Sequence, residues 1–382
     1  MNPIFSQTST SIFETMSRLA RQHDAVNLGQ GFPDDPGPVD VREKAAQAVV
    51  AGWNQYPPMM GIPELRQAIA RHYKRFHGLD LDWENEVMVT SGATEALAGS
   101  LMALIEPGDE VVLFQPMYDA YLPLVKRAGG VPRFVSLKPP HWGLDEAQLK
   151  AVFNDRTRVV LLNHPLNPSG SVFSREDLDL LAKYIVSHDC ILVCDEVWEH
   201  VLFYGVPFAP TLTLPELRRR TLKIGSAGKI FSLTGWKVGF VCAAPEILKV
   251  VAKAHQYITF TTPPNLQSAV AYGLDKADDY FTGMRGNFQA AQDRFATGLV
   301  KLGFEVIPSQ ATYFLNIDLS KGRFAGMDDV AFSMRLVEEA RVASIPVSAF
   351  YAENPVTSVV RFCFAKRFET LDEALRRISA FC

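Results

Sequence analysis

The sequence predicts an α/β fold in which a mostly parallel sheet is covered by helices on both faces, together with a smaller α+β region. Two observations lead to this prediction. Between residues 84 and 197, short β-branched runs alternate with amphipathic helical patterns, and the runs are apolar nearly throughout. Strands of this kind are typical of a parallel sheet buried between helices. From about Pro264 onward the pattern changes to long helices mixed with separate strands.

The middle of the chain supplies the elements of the larger region. "ENEVMVT" predicts a strand, "TEALAGSLMALI" a helix with apolar residues three and four positions apart, and "EVVLF" the next strand. Together they predict a βαβ unit. The same order follows in "TRVVLLN", "SREDLDLLAKYIVSHD" and "CILVCDEV". Ser174 is expected to cap the second helix, with Asp177 three residues later.

The two ends of the chain are expected to form a second unit. "TYFLNID" and "VVRFCFA" predict strands, and "MDDVAFSMRLVEEARV" and "TLDEALRRISAF" predict helices. The segment up to about Pro38 contains Gly and Pro without a clear strand pattern, which indicates an arm that packs elsewhere. We expect an N-terminal arm at 1–40 that joins the small domain, a large domain at 41–275 and a small C-terminal domain at 276–382.

Composition and charge exclude several classes of protein. The 382 residues are 48% hydrophobic and 21% charged, as in ordinary globular proteins. The 38 Lys and Arg against 42 Asp and Glu give a net charge of −4, which offers no basic surface for nucleic acid or an anionic membrane. The N-terminus lacks a secretory pattern, and 18 apolar residues never occur in a row. A soluble cytoplasmic protein is therefore expected.

The five cysteines do not predict a disulfide framework, because they are few and odd in number. Cys190 and Cys194 flank an apolar run, with no further Cys pair or His pair at metal-ligand spacing. We expect both to be buried thiols that act as small hydrophobic residues, and we expect no metal site.

Polar residues stand where predicted strands end, which is where open parallel sheets bind ligands. "SGAT" leads into a helix whose free N–H groups form an anion site, although such residues also simply cap helices. "HPLNPSG" presents Asn167, and in isolation a structural turn explains it better. Asp195 ends an apolar strand, where a carboxylate is either functional or a cap for the next segment.

A fourth loop, "IGSAGKIFSLTGWKVGF", places Lys229 among small and apolar residues and Lys237 eight residues later. Such surroundings lower the pKa of an amine so that it acts as a nucleophile, whereas a lysine on a surface loop is ordinarily solvated. Together the four loops provide an amine, a carboxylate, an amide and an anion-binding helix start. Pyridoxal phosphate requires this combination of groups.

The chain resembles a known family through five motifs in the family's order: "TSGATEAL", "NHPLNPSG", "CDEVWEH", "SAGKIFSLTGWKVG" and "VVRFCFAK". The family is that of the class I/II aminotransferases of fold type I. Within it, the chain is most similar to the branch of kynurenine and methionine aminotransferases, also called cysteine-conjugate β-lyases. The resemblance extends from "NLGQGFPD" near residue 27 to the C-terminus. It implies a pyridoxal 5′-phosphate cofactor and a homodimer with shared active sites.

The resemblance also implies which residues bind the cofactor. Lys229 would form the Schiff base with the cofactor and move the proton during the reaction. Asp195 would pair with the ring nitrogen, and Asn167 would donate to the phenolic oxygen. Tyr118 would stack on the ring, although a half-buried core aromatic is the alternative. The phosphate would be held by Ala93, Thr94, Ser226, Lys237 and Tyr56 of the partner subunit.

The implied substrate contacts lie nearer the chain ends. Arg361 would pair with the α-carboxylate through its planar fork, and the alternative is an internal ion pair within an apolar strand. Gly31 would approach the same carboxylate through its backbone, beside Asn167. Phe260 of the partner subunit would line the side-chain pocket.

Two positions depart from the family pattern. Three residues after Asp195 the family usually carries Tyr, whose hydroxyl bonds the phenolic oxygen, and this chain has Trp198. An indole N–H donates but cannot accept. We expect Trp198 to shift the pKa of the cofactor's Schiff base, and it could favour a reaction other than transamination. His164 replaces the usual Thr and is expected to be structural.

The sequence thus predicts an aminotransferase that moves an amino group from an aromatic or sulfur-containing amino acid to a 2-oxo acid. The alternative is β-elimination from cysteine conjugates at the same site, because both reactions begin with the same proton removal. A third hypothesis, a non-catalytic aminotransferase-like ligand-sensing domain, requires an attached DNA-binding module. We expect no room for one in a chain that resembles the enzyme nearly end to end.

Overall fold

The computed structural model describes residues 1–6 and 10–382. The helices in chain order are α1 (Pro3–Ser6), α2 (Ile12–Gln22), α3 (Val39–Ala51), α4 (Pro63–His77), α5 (Ala93–Leu104), α6 (Tyr121–Arg127), α7 (Glu146–Val152), α8 (Arg175–Ser187), α9 (Ala227–Ile230), α10 (Pro245–Ile258), α11 (Pro264–Leu274), α12 (Asp278–Lys301), α13 (Asp329–Glu339) and α14 (Phe368–Phe381). The strands are β1 (Val26–Asn27), β2 (Val87–Thr90), β3 (Glu110–Gln115), β4 (Val131–Ser136), β5 (Thr157–Asn163), β6 (Ile191–Asp195), β7 (Thr221–Ser226), β8 (Gly239–Ala243), β9 (Glu305–Ile307), β10 (Phe314–Asp318), β11 (Val342–Ala343), β12 (Ile345–Pro346) and β13 (Val359–Cys363). None of the helices in these ranges is long and apolar enough to cross a membrane.

The central sheet has seven strands in the order β2-β8-β7-β6-β5-β3-β4. All of them run in one direction except β8, which is antiparallel to both of its neighbours. β2, β3 and β8 are buried along their whole length, which explains why the sequence shows continuous apolar runs rather than an alternating pattern. The predicted α/β fold with a mostly parallel sheet is confirmed.

The prediction that β2, α5 and β3 form a βαβ unit is wrong. The two strands run in the same direction, but β8, β7, β6 and β5 lie between them. The apolar pattern identifies each strand, whereas strand order depends on long-range packing that a local pattern does not encode. β5, α8 and β6 do form an adjacent parallel unit.

Two local predictions are confirmed. Ser174 caps α8: its hydroxyl accepts the backbone N–H of Asp177 at 3.0 Å, and the Asp177 carboxylate accepts the N–H of Ser174 at 3.1 Å. Cys190 and Cys194 are buried free thiols, and burial raises the pKa of Cys190 to about 11.

A second sheet, with the antiparallel order β12-β13-β10-β9, forms the smaller α+β region with the C-terminal helices. The start of the chain packs here. β1 pairs in parallel with β11, with Val26 opposite Val342, and Met16 and Leu19 of α2 are buried beside Ile345. The sequence showed no clear strand in this segment because β1, at two residues, is too short to produce an alternating pattern.

The carboxyl ends of the parallel strands meet at one edge of the central sheet. Asn163 at the end of β5 lies opposite Asp195 at the end of β6. Ser226 ends β7, and Lys229 follows in α9. At the end of β2, Ser91 and Gly92 lead into α5. The fold therefore brings the four loops that the sequence singled out to the same edge.

Candidate active site

A cavity opens at this edge of the sheet. Nine of the residues that the sequence singled out line it: Ala93, Thr94, Tyr118, Asn167, Asp195, Trp198, Ser226, Lys229 and Lys237. Four others lie outside its lining: Gly31, Tyr56, Phe260 and Arg361.

Lys229 reaches the cavity from the short helix α9. Its Nζ lies 3.4 Å from the carbonyl oxygen of Gly31 and 4.5 Å from the ring centroid of Trp198. Burial lowers the pKa of Lys229 to about 8, and the nearby Asp195 carboxylate is among the groups that oppose this shift. An amine with such a pKa is partly neutral at physiological pH, as nucleophilic attack on a carbonyl requires.

Two donors hold the Asp195 carboxylate. The hydroxyl of Tyr121 donates to Oδ2 at 2.8 Å, and the backbone N–H of Val197 donates to Oδ1 at 3.3 Å. Burial raises the pKa of Asp195, and these donors and the charge of Lys229 oppose the rise. Sequence reasoning missed Tyr121, although its position three residues after Tyr118 in "YDAY" was a usable signal.

The start of α5 is open to an anion. Gly92 precedes the helix at a φ of +81° and provides no side chain to cap its first N–H groups, at Ala93 and Thr94. A Cβ at Gly92 would lie 3.1 Å from Cε of Lys237 and 3.4 Å from its Nζ, so the lysine passes directly over the glycine. Free helix N–H groups beside an ammonium form a site for a phosphate. The phenol of Tyr118 is hydrogen-bonded to Thr94 in the wall of this site.

Arg361 is buried at 1% exposure in β13. It donates from Nη1 to Oδ1 of Asn167 and from Nη2 to the carbonyl oxygen of Gly29, both at 2.9 Å, while its buried Nε has no partner. Burial lowers the pKa of Arg361 to about 9. Within residues 1–6 and 10–382 it forms no ion pair, so the internal ion pair considered from the sequence is absent there. The guanidinium thus has no anion bonded to it, and the charge of Asp119 acts on it only from beyond ion-pair distance.

Aromatic side chains surround this arginine and the backbone of Gly31. The ring centroid of Phe314 lies 3.9 Å from the guanidinium carbon of Arg361. A Cβ at Gly31 would lie 2.7 Å from Cζ of Phe314, so a side chain at this position would force the ring to move. Sequence reasoning missed Phe314, because only the pairing of β10 with β13 places it beside Arg361.

Trp198 and His164, the two departures from the family pattern, are both buried. The Trp198 indole lines the cavity and packs edge-on against Tyr313, with the ring centroids 4.7 Å apart. His164 instead stacks on Phe208 at 4.8 Å, and burial lowers its pKa to about 3. A neutral histidine packed on an aromatic ring agrees with the structural role expected from the sequence.

Tyr56 and Phe260 are not brought into the cavity of their own chain. Tyr56 is 82% exposed and Phe260 38% exposed. Their rings contact each other edge-on, with centroids 5.6 Å apart. The family resemblance implies that both residues contribute to the active site of the partner subunit, and a residue with that role must lie on the surface of its own chain.

A second group of titratable side chains lies outside the cavity lining, with Glu199 and His200 buried and His77 partly buried. Ligand atoms of His77, Glu199 and His200 lie within 4.8 Å of one another, close enough to consider a metal ion. Oε2 of Glu199, however, already accepts from the Lys223 ammonium at 2.8 Å, and the Tyr73 hydroxyl donates to the same carboxylate. The carboxylate is therefore paired within the chain, and the expectation of no metal site stays a prediction.

Comparison with known proteins identifies relatives over almost the whole chain. The sequence model of the family described as aminotransferase class I and II matches residues 23–378. Methionine aminotransferase of Escherichia coli is 39% identical over 99% of this chain and 98% of its own length. Human kynurenine–oxoglutarate transaminase 1 is 37% identical over 94% of each chain.

Solved structures agree with this assignment. N-succinyldiaminopimelate aminotransferase from Mycobacterium tuberculosis, whose structure is solved, is 41% identical over 99% of each chain and superposes with a TM-score of 0.95. A single mutant of Thermus thermophilus aspartate aminotransferase is 29% identical over 100% of this chain and 99% of its own, and it superposes with a TM-score of 0.91. The fold is therefore that of the fold type I aminotransferases. The chain belongs to the class I and II aminotransferases, and it is a pyridoxal-phosphate-dependent transaminase.

Proposed function

We propose that this transaminase takes its amino group from an aromatic or sulfur-containing amino acid and passes it to a 2-oxo acid. The observation that carries this proposal is the aromatic wall of the site, in which Tyr118 and Trp198 line the cavity and Phe314 covers Arg361. An apolar side chain gains most from burial against such rings. Two of the relatives are named for a sulfur-containing and an aromatic amino acid, methionine and kynurenine.

The residues of the cavity fit pyridoxal phosphate. When bound, it supplies an aldehyde that condenses with amines and a ring that withdraws electrons from the substrate α-carbon. We assign the phosphate to the open start of α5 at Ala93 and Thr94, beside Ser226 and Lys237. The uncapped N–H groups and the ammonium over Gly92 support this assignment. Tyr118, whose phenol is hydrogen-bonded to Thr94, is assigned to the face of the cofactor's pyridine ring.

Lys229 is the residue we assign to the cofactor aldehyde and to proton transfer. Its pKa of about 8 leaves a neutral fraction of the amine, so Lys229 would hold the cofactor through its aldehyde and would accept the proton from the substrate α-carbon. Asp195 keeps a proton on the ring nitrogen, for which its carboxylate must stay ionised. The donors Tyr121 and Val197 favour that form.

Asn167 and Arg361 act as a pair in this proposal. Arg361 occupies the amide oxygen of Asn167, which leaves the amide N–H groups to donate to the phenolic oxygen. The unpaired guanidinium binds the α-carboxylate, since a buried cation without an anion gains strongly from one. The backbone of Gly31 lets the substrate carboxylate approach closely, because a side chain at this position would collide with the ring of Phe314.

The working unit in this proposal is a homodimer. Exposed apolar side chains lie between α3 and α4 and at the end of α10: Trp53, Tyr56, Tyr257 and Phe260. The contact of Tyr56 with Phe260 joins the two groups. Apolar surface of this kind favours a second copy of the chain, which would receive Tyr56 at its phosphate and Phe260 at its substrate pocket.

We further propose the domain division 1–40, 41–275 and 276–382, with the arm joining the small domain. The pairing of β1 with β11 supports it. With a net charge of −4, the protein is proposed to act in the cytoplasm without a nucleic-acid or membrane partner.

A half-reaction screen tests the proposed substrate class. Each amino acid is added singly to purified holoenzyme, and the absorbance of the bound cofactor is followed. Aromatic and sulfur-containing amino acids should change it fastest and release the matching 2-oxo acid. A preference for N-succinyldiaminopimelate would contradict the proposal. Release of pyruvate and ammonia from cysteine conjugates, without the 2-oxo acid that keeps the sulfur substituent of the conjugate, would identify the site as a β-lyase instead.

A further inference from the structure

His255 connects three segments that surround the proposed cofactor site. It is fully buried in the last turn of α10. Its Nδ1 lies 2.9 Å from Oε1 of Glu95, and its Nε2 lies 3.1 Å from the carbonyl oxygen of Met59. Its own carbonyl oxygen accepts the backbone N–H of Phe260 at 3.1 Å. One residue therefore contacts α5, the loop that carries Tyr56, and the segment after α10.

Both ring nitrogens of His255 face acceptors. A carbonyl oxygen only accepts, so Nε2 carries a hydrogen toward Met59. An ionised carboxylate also only accepts, and the other oxygen of Glu95 accepts the backbone N–H of Ser91 at 3.0 Å. The contact at Nδ1 therefore needs a second proton. His255 and Glu95 form a buried pair with one shared proton between Nδ1 and Oε1.

The position of Glu95 gives this pair a role in cofactor binding. Glu95 lies in the first turn of α5, next to Thr94, where we place the cofactor phosphate. An unpaired carboxylate there would repel the phosphate and oppose the helix N-terminus that attracts it. Pairing with His255 compensates that charge, and the bond to Ser91 fixes the loop that leads into the helix.

The other contacts of His255 reach the residues that we propose are contributed to the partner subunit. Met59 follows Tyr56 by three residues. Phe260 adopts a φ of +64°, a conformation that bulky side chains rarely adopt, and its N–H is held by His255. The rings of Tyr56 and Phe260 contact each other. The imidazole of His255 thus holds the loop of Tyr56 through Met59, its backbone carbonyl holds the segment of Phe260, and the ring contact couples the two segments.

We propose that His255 is a positioning residue that sets the phosphate site of its own subunit and the two aromatic side chains contributed to the partner's site. The proposal rests on the proposed function and on the shared-site homodimer. It requires that one substitution act differently in the two active sites: mainly on cofactor retention in its own subunit, and mainly on amino-acid binding in the other.

Hybrid dimers with one reactive site separate these two effects. Two differently tagged chains are co-expressed, and Lys229→Ala silences one of them. In the cis hybrid, the chain with intact Lys229 carries His255→Leu. In the trans hybrid, the silenced chain carries His255→Leu. The reference hybrid has His255 in both chains. The control hybrids carry His188→Leu, at the end of α8, in either the reactive or the silenced chain.

The cis hybrid should bind pyridoxal phosphate at least about tenfold more weakly than the reference, as expected when a buried charge-assisted hydrogen bond is lost. The trans hybrid should show its larger change in the KM of the amino donor, raised about tenfold, because loss of the Nε2 contact to Met59 moves Tyr56 and, through the contact of their rings, Phe260. Its binding of pyridoxal phosphate should weaken less than that of the cis hybrid, since only the Tyr56 contribution to the phosphate is affected. The His188→Leu hybrids should match the reference. The proposal is overturned if either His255→Leu hybrid matches the reference in both constants.

Glu95→Ala provides a second variant if His255→Leu fails to fold. This substitution removes the carboxylate that pairs with Nδ1 of His255, and it leaves the contacts of His255 to Met59 and Phe260 in place. Cofactor binding should weaken in cis, while the KM of the trans hybrid stays at the reference value; equal effects in both hybrids would overturn the proposal. Two results would instead refute its premises: an active Lys229→Ala homodimer, which refutes the function, or a Tyr56→Ala trans hybrid without effect, which refutes shared sites.

Discussion

The guanidinium of Arg361 donates to the side-chain oxygen of Asn167 at 2.9 Å, across 194 positions of sequence. The contact joins the residue assigned to the substrate carboxylate with the residue assigned to the cofactor's phenolic oxygen. Because the arginine occupies the amide oxygen, the orientation of Asn167 is fixed with its N–H groups free to donate. Substrate binding and cofactor polarisation are therefore linked through one hydrogen bond.

Arg361→Lys should raise the KM of both the amino donor and the oxo acid by about tenfold to a hundredfold. The three N–H donors of a lysine lie on one nitrogen, so they cannot replace the planar fork that bonds Asn167 and Gly29 through separate nitrogens and still pair with a carboxylate in bidentate geometry. Steady-state kinetics with both substrates measure the effect. Arg335→Lys, in an exposed pair with Glu339, is the matched control. An unchanged KM in Arg361→Lys would rule out a role for Arg361 in carboxylate binding.

Tyr121→Phe should move the acid limb of the pH–activity profile to higher pH. The Tyr121 hydroxyl lowers the pKa of Asp195 against the effect of burial, so its loss raises that pKa further. The carboxylate is then protonated at a higher pH, and the ring nitrogen loses its anionic partner there. The measurement is kcat/KM against pH, with Tyr184→Phe in α8 as control. A profile that does not shift, or shifts to lower pH, would contradict the assignment.

Trp198→Tyr should lower the pKa at which the absorbance of the bound cofactor changes, by about one unit. The hydroxyl of the introduced tyrosine can donate a hydrogen bond to the phenolic oxygen of the cofactor. This bond stabilises the negative charge on that oxygen, so the charge favours protonation of the nitrogen joined to Lys229 less strongly. A spectral pH titration of both holoenzymes measures the shift. An unchanged pKa would show that the departure from the family's tyrosine has no electrostatic consequence.

Lys223→Met should destabilise the fold by about 3–5 kcal/mol, because it leaves Glu199 buried without its cation. Both side chains are fully buried at a separation of 2.8 Å. Thermal unfolding of the variant tests this, with Lys74→Met in the exposed pair with Asp80 as a control expected to cost no more than about 1 kcal/mol. Adding Glu199→Gln should recover part of the loss. No recovery would mean that packing, not charge, explains the effect.

The sequence alone singled out residues that line one cavity, because strand ends and turn chemistry are local properties. Asn167, Asp195 and Lys229 each follow an apolar run, and the parallel sheet brings such ends to one edge. The order of β2 and β3 was not predictable in this way, since partner choice depends on distant segments. Phe314 was missed for the same reason, because it meets Arg361 only through tertiary packing.

The buried pair of Lys223 and Glu199 marks a second limit of sequence analysis. Lys223 lies between Leu222 and Ile224 in a buried strand, which signals a buried charge but not its partner. Tyr56 and Phe260 mark a third limit. One chain shows them exposed and in contact, and their assignment to the partner's site rests on the family resemblance.

The central claim is that Lys229 carries the covalent and proton-transfer chemistry of a transamination. The most direct test measures conversion of the best amino donor to its 2-oxo acid by Lys229→Ala, supplied with pyridoxal phosphate and checked for folding. The account predicts that turnover falls by about a thousandfold or more, while the variant still binds the cofactor through the start of α5 and Lys237. Turnover at the rate of the unsubstituted enzyme would contradict it.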